Sequence, residues 1–129
     1  MNIKSFTSLE QSKVLAEILP LESADMHYND WYYDFYDGYE HTGIYVADLG
    51  IPKTICGKLD IPCWSLAILL KYLSEIKPQV YTPILFSSEG KWILQFVEYG
   101  HGNVCEMSYS DPIDACVAMI EKLHEIKLL

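Results

Sequence analysis

The residues of this chain that could do chemistry are four cysteines, four histidines and a dense run of aromatic and acidic side chains. Thiol catalysis needs a cysteine beside a base, and zinc needs Cys or His at short, regular spacing. Cys56, Cys63, Cys105 and Cys116 form no C-x-x-C pair. His27, His41, His101 and His124 lie at no metal-ligand spacing, and none sits beside a cysteine. Calcium needs oxygen ligands at alternate positions around a turn glycine, a pattern that Asp34, Asp37 and Gly38 do not supply. The chain also lacks a nucleophile elbow, a phosphate loop and a dinucleotide fingerprint. The sequence therefore predicts no cofactor and no metal, and it leans away from an enzyme. A thiol such as Cys105 or Cys116 brought to a histidine by the fold is left open.

The aromatic run is the feature that core-building alone does not account for. Between Tyr28 and Glu40, seven of thirteen residues are aromatic and four are acidic. Aromatic side chains either complete a core or serve as anchors on an interface. Acids interleaved with them suit the polar rim of a protein-binding patch. The candidate binding residues are accordingly Trp31, Tyr33, Phe35 and Tyr36 with Asp34 and Asp37. An aromatic groove that stacks a sugar or a nucleobase is the alternative use of the same residues.

Two elements compete to position them. Tyr28, Trp31, Tyr32, Phe35, Tyr36 and Tyr39 fall at helical spacing, with acids opposite. Aromatics nevertheless favour strands, and Asp37-Gly38 is a hairpin signal with aromatics on both sides. The expectation is a hairpin from about Trp31 to Ala47, followed by a loop from Leu49 to Asp60.

Elsewhere the elements are plainer. Thr7 and Glu10 have the spacing of a capping box, with Phe6 placed to staple and Pro20 to stop the first helix. A second helix is expected from about Pro62 to Ile76, apolar on nearly every face and so the central one. Strands are expected at Tyr81–Phe86, Trp92–Tyr99 and Val104–Tyr109 as an antiparallel meander, with Pro83 assigning the first to an edge or a bulge. Asp111, Pro112 and Asp114 start the last helix, whose apolar stripe runs through Ile113, Cys116, Val117, Ile120, Leu123 and His124.

At 129 residues the chain reads as a single α+β domain, residues 1–129, with an antiparallel sheet of three to five strands and about three helices. Half of it is apolar, which argues against disorder. Its formal charge of −9 repels phosphate backbones, so nucleic acid is not an expected partner. No apolar run is long enough to span a bilayer, and residues 1–9 lack a secretory h-region. The expected setting is cytoplasmic, with free and mostly buried thiols and a protein as partner.

Three stretches carry a resemblance. They are Thr7–Lys13 with Leu19–Met26, Pro62–Leu66, and Asp111–Cys116 leading to Lys122–His124. Together they resemble a group of small uncharacterised proteins encoded in gut anaerobe genomes and their phages and mobile elements. The resemblance implies an intracellular accessory protein. It leaves out His27 to Ile61, so the aromatic run is this chain's individual feature, and no catalytic or binding role carries over with it.

Overall fold

A computed structural model describes residues 3–34, 38–48 and 61–129; for 30–34, 41 and 43–48 it describes the backbone alone. Among these residues the chain is α+β, with three α-helices and two antiparallel three-stranded sheets.

Helix α1 (Leu9–Ala16) is capped by Ser8, whose Oγ accepts from the Gln11 amide while the Gln11 side chain accepts from the Ser8 amide. This is the reciprocal box predicted from spacing, but one residue later than Thr7 and Glu10. Thr7 is occupied elsewhere. Its hydroxyl accepts from the Trp64 amide at 3.1 Å and shares a hydrogen bond with Ser12 Oγ, and all of it is buried. Phe6 therefore does not staple α1; it bridges to Ser65 and meets the Tyr28 ring edge-on at 6.2 Å. The helix ends at Ala16, ahead of Pro20, and a 3₁₀ turn (Leu21–Ser23) follows.

Strands β1 (Met26–Asp34) and β2 (Tyr39–Asp48) form a hairpin, and β3 (Ile61–Cys63) adds to β1, giving the order β2-β1-β3. Pro62 thus lies in a strand that flanks β1 on its outer side, where its missing amide donor is tolerated. The helix start falls to Ser65, which caps α2 (Leu66–Ser74) by accepting from the Ile68 amide.

The second sheet is the predicted meander: β4 (Tyr81–Ser88), β5 (Lys91–Glu98) and β6 (Gly102–Tyr109), with β4 on the edge as Pro83 requires. Glu89 and Gly90 both take positive φ in the two-residue β4–β5 turn, the conformation that matches strand twist. Helix α3 (Pro112–Glu125) packs across β5 and β6. It buries Ile113, Ala115, Cys116, Val117, Met119, Ile120 and Leu123 against Leu94 and Phe96 of β5. Here α3, not α2, is the central helix. Only Leu69 and Leu73 of α2 are buried, because α2 meets α3 and β4 from one side and leaves Ile68, Leu70 and Tyr72 at the rim. The stripe on α3 closes at Leu123, and His124 is exposed, not in the core.

Candidate functional site

The first sheet decides where the aromatic run goes. Its register pairs Met26 with Asp48, Trp31 with Thr42, Tyr33 with Glu40 and Asp34 with Tyr39, interrupted once between Asn29 and Trp31. Gly38, at φ +75°, supplies the left-handed backbone that the Asp37-Gly38 signal anticipates. The helical spacing of the aromatics is overridden by strand pairing and turn chemistry. Of the predicted site residues, Trp31, Tyr33 and Asp34 are on β1, in register with the start of β2; Phe35, Tyr36 and Asp37 lie outside the described residues.

The hairpin is clamped at its base. Tyr28 is buried, its hydroxyl donates to the Thr7 carbonyl at 2.7 Å, and burial with nearby Cys63 pushes its phenol pKa up, so it stays a donor. His27 and Asn29 are buried beside it, and β3 pairs with Met26, His27 and Tyr28. Beyond that base the surroundings change. Gly38, Tyr39, Glu40 and Thr42 are exposed, Tyr39 by 70% of its surface. Tyr39 is an exposed aromatic that the site prediction left out, and its position directly after the turn glycine was the available signal.

Cys56, with the loop expected from Leu49 to Asp60, lies outside the described residues; the environments of Cys63, Cys105 and Cys116 do not favour a reactive thiolate. Cys63 and Cys116 are fully buried, and their pKa values are pushed up from 9.0 to about 12, first by burial and then by Asp25 and Asp111 respectively. Burial also raises Cys105, against a smaller opposing pull from Lys122, and its Sγ lies 3.1 Å from Met119 Sδ. A nucleophilic thiol needs the opposite environment. Among the described residues, no three His, Cys, Asp or Glu side chains come close enough together to hold a metal ion.

The raised pKa values make a stability statement. Above pH 9 the unfolded chain loses thiol protons that the folded chain keeps until about 12, so high pH favours unfolding. Stability is expected to be unaffected by these groups below pH 9 and to fall above it by about 1.4 kcal/mol per pH unit for each thiol. Urea midpoints at successive pH values check this, and Cys116→Ala should flatten the slope. Site-resolved alkylation at neutral pH should leave Cys63 and Cys116 unmodified until the chain is unfolded.

A cleft opens between the 3₁₀ turn and α2, lined by Glu22, Ser23, Ile68, Lys71, Tyr72 and Glu75, with about 390 Å³ of space continuous with solvent. It contains none of the predicted site residues. No helix among the described residues is long and apolar enough to cross a membrane. No family model, curated protein or solved structure matches the chain.

Proposed function

We propose that this chain works by binding another protein, without catalysing a reaction, and that the far end of the β1–β2 hairpin is the contact. The observation that carries this reading is Tyr39, an aromatic side chain 70% exposed at the far end of an arm whose base is held by Tyr28. Tyrosine supplies large contact area with few rotatable bonds and a polar tip, which suits an interface anchor. Asp34 is its register partner, Glu40 follows it and Asp37 precedes it by two in sequence, so negative charge concentrates in this stretch and a basic surface is the fitting partner. Trp31 and Tyr33 pair with Thr42 and Glu40, one step out of phase with Tyr39, so the proposed contact is centred on Tyr39 and its register partner Asp34. The setting we infer is cytoplasmic, in keeping with the resemblance to accessory proteins of gut anaerobes and their mobile elements.

Affinity capture tests this directly. Tyr39→Ala should reduce the captured partner at least about tenfold, the scale of an interface anchor, while the unfolding midpoint moves by less than about 0.5 kcal/mol, as for other exposed sites. Equal capture by the wild type and the variant would refute the assignment.

A further inference from the structure

We propose that the face of the second sheet turned away from α3 is a self-association surface on which a second copy of the chain docks by face-to-face stacking about a two-fold axis.

Strand alternation divides this sheet cleanly. Leu94 and Phe96 point to α3 and are fully buried, so their strand neighbours Ile93, Gln95 and Val97 point the other way. Register then places Ile84 and Phe86 of β4 and Glu106 and Ser108 of β6 on that same outer face. Ile84 is 43% exposed and Phe86 38%. The helices pack on the opposite side, and Val104, also exposed, sits at the irregularity opposite Phe96 and Val97. Three eight-residue strands give this face a footprint of about 26 Å by 14 Å, roughly 370 Å², with Ile84, Phe86, Ile93 and Val97 as its apolar centre and polar residues around them.

Charge selects the occupant. The chain carries −9, yet the charged residues on this face are one Lys91 and one Glu106, which sum to zero. A second copy, repelled by most of the surface, meets no net repulsion here. The two charges are also self-complementary. Lys91 lies two residues before Ile93 on β5, and Glu106 pairs with Gln95, two residues after it. A two-fold axis crossing the strands at Ile93 therefore stacks Ile93 and Phe86 on their own copies. It also carries Lys91 of each copy over Gln95 of the other, one strand or about 4.8 Å from Glu106, so the flexible ammonium reaches the partner's carboxylate twice, as an isologous interface requires. Lys91 makes no ion pair among the described residues. Strand addition at the edges is the less favoured route, because Pro83 removes a donor from β4 and an irregularity interrupts β6.

Two such faces bury about 740 Å² in all, below the size of a stable interface, so the expected dimer is weak and its population rises with concentration. Sedimentation equilibrium from about 5 to 500 µM should show reversible dimerisation of the wild type. Phe86→Lys and Ile84→Lys should each weaken it at least about tenfold, with far-UV circular dichroism and melting temperature showing that the monomer is intact. Lys91→Glu and Glu106→Lys should each weaken it, and the double charge swap should restore it. A wild type that stays monomeric across the range overturns the proposal. So does a dimer that Phe86→Lys and Ile84→Lys leave unchanged, or a charge swap that restores nothing. The Tyr39→Ala variant should dimerise like the wild type, which separates this surface from the hairpin contact.

Discussion

Trp64→Ala is expected to cost about 3–5 kcal/mol of folding stability, the range for truncating a large buried aromatic. Trp64 is fully buried, and its connections explain why. Its backbone amide donates to Thr7 Oγ1 and its carbonyl accepts from the Thr7 amide at 2.9 Å, which ties the β3–α2 junction to the N-terminal segment. Its indole N–H donates to Ser23 Oγ at 3.0 Å, and that hydroxyl in turn donates to the Pro20 carbonyl. The main-chain bonds to Thr7 survive truncation, so the expected loss comes from the side chain's buried packing and its bond to the 3₁₀ turn. Domains of this size have about 5–15 kcal/mol in all, so the variant should be marginal. Trp64→Phe keeps most of the apolar contact and loses the donor, so a loss of about 1–3 kcal/mol is expected. Urea unfolding followed by far-UV circular dichroism measures both. A loss below about 1 kcal/mol for Trp64→Ala would contradict the placement of this residue.

Asp111→Ala should be the second large effect, at about 2–4 kcal/mol. Asp111 is buried at the N-terminus of α3, where Oδ1 accepts from the Ile113 amide at 2.8 Å and the Asp114 amide at 3.4 Å. Its other oxygen accepts from the Lys4 amide at 2.7 Å. Losing the cap costs about 0.5–2 kcal/mol, and stranding a partly buried amide adds about 1–3 kcal/mol. The neighbouring Asp114 accepts from the Lys4 ammonium and from Gln11 Nε2, so the same corner joins α1, α3 and the chain before them. Asp114→Ala, with more exposed partners, should cost less than Asp111→Ala. The reverse order would show that the cap is not the main contribution.

How much of this was legible in the sequence depends on the range of the forces involved. Asp111 and Pro112 start α3 because capping is settled within four residues, and the distant Lys4 amide takes the carboxylate's other oxygen without displacing the cap. The meander was legible for the same reason, since Glu89-Gly90 closes a two-residue turn between alternating strands. Thr7 misleads because its hydroxyl is claimed by Trp64, 57 positions away, and a local capping pattern carries no trace of that. Pro62 misleads because a first-turn proline and an outer-strand proline satisfy the same rule, that no donor is needed there. The choice between them is made by pairing with His27. The aromatic run had two self-consistent local readings, and the long-range register of β1 on β2 decided for the hairpin. Tyr39 was visible as an aromatic but not as a contact, since exposure is a property of the assembled arm.

Photocrosslinking from the hairpin tip tests the central claim most directly. A photoreactive phenylalanine analogue at position 39 should form a discrete covalent adduct with a single partner protein, and the same analogue at exposed Glu89, on the second sheet's turn, should not. Adducts of equal yield from both positions, or none from position 39 in cells where the chain is expressed and folded, would contradict a binding arm at this end of the molecule.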